Sequence, residues 1–128
     1  MLHKRHFTIN EANRLLGIIR PLIEQLSGLK AILDEQGYDI YRHQYFGGIS
    51  PNGTGEFPKE MEELVEIVKK IAAYGVVIKS IDNGLFDFPH IRANGEEVYL
   101  CWKRGEGEIL YWHKIPDGFS GRKNINEL

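Results

Sequence analysis

Four polar residues with the potential for chemistry lie in the last third of the sequence: Asp87, Glu106, His113 and Arg122. Two carboxylates and a histidine can act as acid and base, or they can bind a metal ion. Most of these residues fall within the segment Phe86–Lys114, which also contains both tryptophans and the only cysteine. A segment so dense in rare residues is either a functional site or a small core built from large side chains. Which of these two interpretations holds depends on how the helices and strands position the residues of this segment.

The composition is that of one globular domain that spans residues 1–128. Hydrophobic residues make up 42% of the chain and charged residues 27%. The net charge is -2 and the basic residues are scattered among acids, which argues against binding to nucleic acid or to an anionic membrane. No apolar run approaches the roughly 20 residues that cross a bilayer. Because a single cysteine cannot form an intramolecular disulfide, we expect a cytoplasmic protein.

The N-terminal half is predicted to be helical. Thr8–Glu11 has the pattern of a capping box, in which a hydroxyl and a carboxylate three residues later close the first turn. Leucines and an isoleucine follow from Leu15 to Leu33 at spacings of four and three, which predicts a helix that packs on a partner helix. We expect a kink near Pro21 and a continuation, broken at Gly37, to about Phe46.

A second helix is predicted to complete an antiparallel helical hairpin over about residues 8–75. Residues 47–57 contain four glycines without a phosphate-loop motif, which indicates a flexible loop. Pro58 is suited to the first position of the second helix, and Gly75 to the residue that follows its end. Between them the apolar residues have helical spacing; they are Met61, Leu64, Val65, Val68, Ile71 and Ala72.

After Gly75 the hydrophobic pattern changes to the period of two that is typical of strands. Turn sequences divide this part into an antiparallel β-meander of about four strands over about residues 76–115, followed by a polar tail, 116–128. Asn94–Gly95 is a strong signal for a two-residue type I′ turn. The predicted strands are Val76–Lys79, Leu85–Arg92, Glu96–Lys103 and Glu108–Lys114. The predicted fold class is therefore α+β.

The turn lengths predict which residues lie opposite one another. A two-residue loop at Asn94–Gly95, followed by a loop of two or four residues in the next hairpin, fixes the register of three strands. The predicted pairs are Asp87 with Trp102, Phe88 with Cys101, Trp102 with Ile109, Tyr99 with Trp112, and Val98 with His113. An odd-length loop or a bulge in the second hairpin would flip the last strand.

This register gives the sheet two apolar faces, of which one helical hairpin covers only one. Cys101 is predicted to be an inert buried thiol on the second face. We expect that face either to form the interface of a homodimer or to line a ligand groove, because large exposed apolar patches are rare on monomers. The predicted interface residues are Phe86, Phe88, Tyr99, Leu110 and Trp112.

The same register separates the polar candidates into two groups. At about 3.3 Å per residue along a strand and about 4.8 Å between strands, Asp87 and His113 are predicted to lie roughly 15 Å apart. Asp87 with Glu106, beside Trp102, then forms one candidate ligand site, and His113 with Arg122 forms another. The sequence has no C-x-x-C or H-x-x-x-H pattern, so we predict no metal site.

Several motifs resemble an uncharacterised family of small bacterial proteins, domain-of-unknown-function family 2203. They are HFTINEANRLL at the start, GLFDFP and YLCWKRGE in the middle, YWH, and DGFSGR near the end. The resemblance extends over nearly the whole chain except around the Gly-rich loop, although Gly17 and Gly107 stand where the family often has proline. It implies a bacterial cytosolic protein with this order of elements, and it implies no activity, cofactor or catalytic residue.

The sequence thus leaves two hypotheses for function. The first is a homodimeric binding module with an aromatic sheet face. The alternative is a small-molecule or metal-dependent enzyme that uses Asp87 with Glu106, or His113 with Arg122.

Overall fold

The computed structural model describes residues 1–41 and 57–128, which form two helices followed by a five-stranded antiparallel sheet. The elements are α1 (Ile9–Glu35), α2 (Lys59–Ala73), β1 (Val77–Ser80), β2 (Leu85–Ile91), β3 (Glu97–Lys103), β4 (Tyr111–Lys114) and β5 (Lys123–Asn124). The strands lie in the order β1-β2-β3-β4-β5. The α+β class is confirmed, with five strands rather than four. Except for Phe57, the predicted loop 47–57 lies outside the described residues.

Helix α1 begins as predicted and ends earlier than predicted. Thr8 Oγ1 accepts a hydrogen bond from the Glu11 amide at 3.1 Å, and Glu11 Oε1 accepts one from the Thr8 amide at 2.8 Å. The helix continues through Pro21 and ends at Glu35. Gly37 adopts a φ of 72° and donates its amide proton to Asp34 O, which stops the helix in the left-handed conformation that glycine allows. The predicted break at Gly37 is confirmed, and residues 38–41 are not helical. The rest of the predicted continuation, residues 42–46, lies outside the described residues.

Helix α2 packs beside α1. Pro58 is its N-cap rather than its first residue, and Gln36 Nε2, just after the end of α1, lies 3.4 Å from Glu60 Oε1 in the first turn of α2. The end of one helix therefore meets the start of the other, as an antiparallel pair requires. Neither helix is long and apolar enough to span a membrane.

The β2–β3 hairpin has a different turn from the predicted one. Gly95, with a φ of 88°, donates to Arg92 O, and the Arg92 amide donates to Glu96 O at 2.9 Å. This is a three-residue loop, a type I turn closed by a glycine bulge, and not a two-residue type I′ turn. Asp87 consequently lies opposite Cys101, so the predicted pairing of Asp87 with Trp102 is wrong. The one-residue slip turns every side chain of β3 to the other face.

The β3–β4 hairpin is also shifted by one residue. Cys101 lies opposite Tyr111, and Tyr99 lies opposite His113, whereas Tyr99 with Trp112 was predicted. The long connection before β4 folds onto α1, since the Ile109 amide donates to Asn13 Oδ1 at 2.7 Å. The two shifts add up, so β4 lies two residues, or about 6.6 Å, away from its predicted position relative to β2.

The observed register defines the two faces of the sheet. The helix-side face packs against α1 and α2 and forms the hydrophobic core; it comprises Phe86, Phe88, Val98, Leu100, Trp102 and Trp112. The outer face points away from the helices; it comprises Asp87, Pro89, Tyr99, Cys101, Tyr111 and His113. The division of charged and aromatic residues between the faces differs from the prediction because β3 is flipped.

The N-terminal segment and part of the C-terminal tail lie over the outer face, whereas Ile125 and Leu128 at the end pack against the core. Near the start, Glu97 accepts hydrogen bonds from the Leu2 amide at 2.8 Å and from His6 Nε2 at 2.6 Å. Near the end, β5 pairs with β4, and the tail before it places Gly118 and Phe119 against the outer face. These two segments of the chain therefore cover part of the outer face.

The predicted dimer interface is not a surface of this fold. Phe86, Phe88 and Trp112 are buried on the helix-side face, and Tyr99 is buried on the outer face. Leu110 alone is exposed, at 42%. The prediction of this interface is wrong because it depended on the slipped register and on an uncovered second face.

Candidate functional site

Three buried polar side chains meet on the outer face of the sheet. Asp87 comes from β2, Cys101 from β3 and His113 from β4, with exposures of 0%, 2% and 2%. A carboxylate oxygen, the thiol sulfur and a ring nitrogen from these residues all lie within 4.8 Å of one another. The three positions come together because the observed register places them on adjacent strands and on one face. The predicted separation of about 15 Å between Asp87 and His113 is wrong.

The Asp87–His113 contact requires a positive charge between its two atoms. Nε2 of His113 lies 3.1 Å from Oδ2 of Asp87, and Nδ1 lies 2.8 Å from the backbone oxygen of Lys114. A carbonyl oxygen can only accept, so Nδ1 carries a proton and donates it to Lys114. In a neutral imidazole Nε2 would then present a lone pair to a carboxylate. A second proton, or another cation, must therefore lie between Nε2 and Oδ2.

The surroundings favour the charged form of the histidine. Burial by itself lowers the pKa of His113, but the hydrogen bond to Asp87, the bond to Lys114 O and the negative charge of Asp87 together raise it above its ordinary value. The hydrogen bonds and the carboxylate therefore favour the protonated imidazole in this buried pair. A proton that lies between these two side chains is shielded from solvent, because both are buried.

The second carboxylate oxygen of Asp87 has no hydrogen-bond partner among the described residues. Oδ1 is buried, as is the whole residue. A buried acceptor without a partner costs about 1 to 3 kcal/mol, and such atoms are uncommon in native proteins. This oxygen is a place where a donor or a cation from outside the chain would be stabilised.

Cys101 is buried as predicted, but its surroundings differ from the prediction. Its thiol lies beside Asp87 and His113 rather than opposite Phe88. Burial, together with the negative charge of Asp87, raises the pKa of the Cys101 thiol to about 12. Both ring nitrogens of His113 are already engaged, so the histidine is not free to take the thiol proton. Cys101 is therefore not an activated nucleophile.

The cluster opens into a small cavity between the sheet and the C-terminal tail. The cavity has a volume of about 160 Å³. Its lining residues are Lys79, Leu85, Asp87, Cys101, His113, Gly118 and Phe119. Lys79 is exposed and its Nζ lies 4.6 Å from the centre of the Tyr99 ring, which places a positive charge close to the buried carboxylate.

Glu106 and Arg122 form a separate pair that fastens the tail. Arg122 Nη2 donates to Glu106 Oε1 at 2.9 Å and to Oε2 at 2.7 Å. The guanidinium also lies 3.9 Å from the centre of the Tyr111 ring and 4.7 Å from that of Phe119. These contacts hold Phe119 over the cavity. The predicted pairs, Asp87 with Glu106 and His113 with Arg122, are both wrong. Asp87 instead contacts His113, and Glu106 contacts Arg122.

Trp102 does not belong to the site. It lies on the helix-side face, where it is buried and its Nε1 donates to Gly107 O at 2.9 Å. The residues that sequence reasoning missed are Cys101 and Lys79. The turn around Asn94–Gly95 could have revealed Cys101. A three-residue loop at this turn, in place of the predicted two-residue loop, places Cys101 beside Asp87.

These features define a small α+β domain with a buried Asp–Cys–His cluster beneath its C-terminal tail. A family model described as an uncharacterized conserved protein, DUF2203, matches residues 5–125, so the chain belongs to this family and the resemblance seen in the motifs is confirmed. The matched range includes all three residues of the cluster. Comparison with curated proteins and comparison with solved structures found no match.

Proposed function

We propose that this chain is a binding module for a small polar ligand that occupies the cavity beside Asp87 and His113. The observation that carries the proposal is the buried, unpartnered Oδ1 of Asp87, which belongs to a residue that lines the cavity. A ligand that donates a hydrogen bond or a positive charge to this oxygen would satisfy it. The binding-module hypothesis is kept, and the aromatic dimer face that first carried it is replaced by this cavity.

The cavity limits the size and the chemistry of the ligand. A volume of about 160 Å³ is similar to that of an engineered cavity of about 150 Å³ that admits benzene in another protein, so the ligand has about six heavy atoms or fewer. Asp87 favours a donor or cation at the bottom of the cavity. Lys79 favours an acceptor on the same molecule.

The tail forms the outer wall of this binding site. Phe119 supplies an apolar surface, and the Glu106–Arg122 pair holds it in position. Because ion pairs of this kind are part-exposed, the wall can open for a ligand to enter without disrupting the core.

An acid–base enzyme is the second candidate, and the single proton held between Asp87 and His113 favours it. Proton NMR can monitor whether a bound ligand is chemically converted. Conversion that is lost in His113→Gln would support the enzyme over the binding module. Binding without conversion would support the module. Homodimerisation and a cytoplasmic location remain predictions from the sequence.

Binding can be tested with a library of neutral and cationic fragments of up to about six heavy atoms, screened by ¹H–¹⁵N NMR against the ¹⁵N-labelled chain. We expect the amide signals of Lys79, Cys101 and Gly118 to shift together. Asp87→Asn should abolish these shifts, and Asp117→Asn, which makes the same change on the exposed tail, should leave them intact.

The contrary result would be binding elsewhere. A larger groove of about 600 Å³ lies between the helices and is lined by Leu29, Ile32 and Ile67 among others. If all fragments shift the amides of that groove and none shifts those of the outer face, the proposed function is wrong.

A further inference from the structure

We infer that the ligand of this cavity is a divalent transition-metal ion of the zinc class, held by Asp87, Cys101 and His113. The inference rests on the proposed function, since it names the chemistry of a ligand for the same site. It goes beyond the sequence, in which no metal-binding spacing is present.

The donor set fits such an ion. Thiolate sulfur, imidazole nitrogen and carboxylate oxygen are the usual ligands of Zn²⁺, and thiolate disfavours Mg²⁺ and Ca²⁺. With metal–ligand distances of about 2.0 to 2.3 Å and tetrahedral angles, the ligand atoms of a zinc site lie about 3.3 to 3.8 Å apart. Here they lie within 4.8 Å of one another, so closure by about 1 Å would complete the set. Three neighbouring strands of one sheet hold them, which keeps the required movement small.

The orientation of His113 is that of a metal ligand. Its Nδ1–H donates to the backbone oxygen of Lys114 at 2.8 Å, and a ligating histidine makes this kind of outer bond with its second nitrogen. The bond leaves Nε2 as the atom that faces Asp87. A metal ion between Nε2 and the Asp87 carboxylate would replace the proton that must otherwise lie there.

A buried ion pair alone explains less of the geometry. A proton between Asp87 and His113 satisfies Nε2 and Oδ2 but leaves Oδ1 without a partner. It gives the thiol of Cys101, which shares the cluster with them, only the role of a hydrogen-bond donor to the Asp87 carboxylate. A metal ion accounts for all three side chains at once, and its binding releases to solvent the thiol proton of Cys101 and the proton held between Asp87 and His113. A metal ion therefore explains the arrangement of the three side chains better than a proton does.

The cavity gives the ion an open coordination position. Zinc sites with three protein ligands keep the fourth position for water or a small ligand, whereas structural sites are closed by four protein ligands. In the described residues, three donors converge, and the remaining direction is bounded by the cavity lined by Lys79, Gly118 and Phe119. The fourth ligand is then water or a small anion, with Lys79 near enough to attract the anion.

The test is a titration of the purified, metal-free full chain with Co²⁺ and with Zn²⁺. Co²⁺ should produce a thiolate-to-cobalt charge-transfer absorption that saturates at one ion per chain, and Zn²⁺ should remove it by competition. Cys101→Ser should lose this absorption. Asp87→Asn and His113→Gln should weaken Co²⁺ binding by about tenfold or more. His6→Gln, outside the cluster, should bind Co²⁺ as the wild-type chain does.

The outcome remains decisive even if a variant does not fold, because ¹¹³Cd NMR on the wild-type chain reports whether one sulfur ligates the ion. No thiolate absorption and no zinc uptake by calorimetry in the wild-type chain would overturn the metal inference. If fragments still bind the outer face under those conditions, the proposed function stands without the metal. If neither fragments nor metal ions bind there, both are wrong.

Discussion

His113 Nε2 on β4 lies 3.1 Å from Asp87 Oδ2 on β2, although another strand separates the two in the sheet. Both side chains are buried, and Nδ1 of the histidine is fixed by Lys114 O. The contact therefore always contains a proton or another cation. Around it lie a thiol, an unpartnered carboxylate oxygen and a cavity, which together make this pair the centre of the candidate site.

Breaking this pair should destabilise the fold strongly. Removing one partner of a buried ion pair leaves the other charge uncompensated, so His113→Gln should lower the free energy of unfolding by about 3 kcal/mol. The double variant with Asp87→Asn should lose less than the sum of the two single losses, by about 1 to 3 kcal/mol. Urea unfolding of the four proteins measures this coupling. Asp117→Asn is the surface control, and strictly additive losses would mean that the pair is not formed.

The N-terminal segment should be held by a pH-dependent contact. Burial alone would raise the pKa of Glu97, but hydrogen bonds from His6 and from the amides of His3 and Leu2 lower it from 4.5 to about 2. A carboxyl with a lowered pKa stabilises the fold above its ordinary pKa and loses this effect as the pH falls towards its folded pKa.

The measurement is the difference in unfolding free energy between the wild-type chain and Glu97→Gln, taken from pH 2 to 6. The difference in unfolding free energy should have its full value above about pH 4.5 and should shrink as the pH falls towards 2. Glu108→Gln, an exposed glutamate before β4, controls for the chemical change. A difference that does not vary over this range would contradict the contact.

Two residues of the predicted dimer interface should now behave differently. Phe88 is fully buried in the core, so Phe88→Asp should destabilise the chain by more than about 4 kcal/mol or prevent folding. Leu110 is exposed, and Leu110→Asp should change stability by only about 0.5 kcal/mol. Circular dichroism and light scattering report the two cases. A folded Phe88→Asp monomer formed from a wild-type dimer would restore the interface that the structure rejects.

The Glu106–Arg122 pair should control access to the cavity. Arg122→Gln removes a charged hydrogen bond worth about 1.5 kcal/mol, so the tail should open about tenfold more often. Cys101 beneath it should then be alkylated by iodoacetamide about tenfold faster, as followed by mass spectrometry. Lys123→Gln, an exposed neighbour, should leave the rate unchanged. Equal rates in all three proteins would mean that the tail does not shield the thiol.

The parts of the fold that could be predicted are those with local signals. The capping box at Thr8–Glu11 and the change of period after Gly75 each depend on neighbouring residues, and both gave the correct element type. The fifth strand, Lys123–Asn124, has only two residues and shows no periodic pattern. It forms because β4 offers it a free edge, which only the tertiary structure reveals.

The site was predictable as a set of residues but not as an arrangement. Asp87, Glu106, His113 and Arg122 are all recognisable by type, and all four make buried or part-buried contacts. Their partners depend on the register, and Asn94–Gly95 fits both a two-residue and a three-residue loop, since each needs glycine with a positive φ. A register shift of one residue in each of the two hairpins changed the partner of every one of these residues.

A crystal structure of the full chain, purified without added metal, tests the candidate site most directly. We predict non-protein density in the cavity within bonding distance of Asp87 Oδ1 and close to His113 Nε2, and an anomalous signal would identify that density as a metal ion. A structure in which Asp87 Oδ1 is bonded to another group of the chain, with no density in the cavity, would contradict the account.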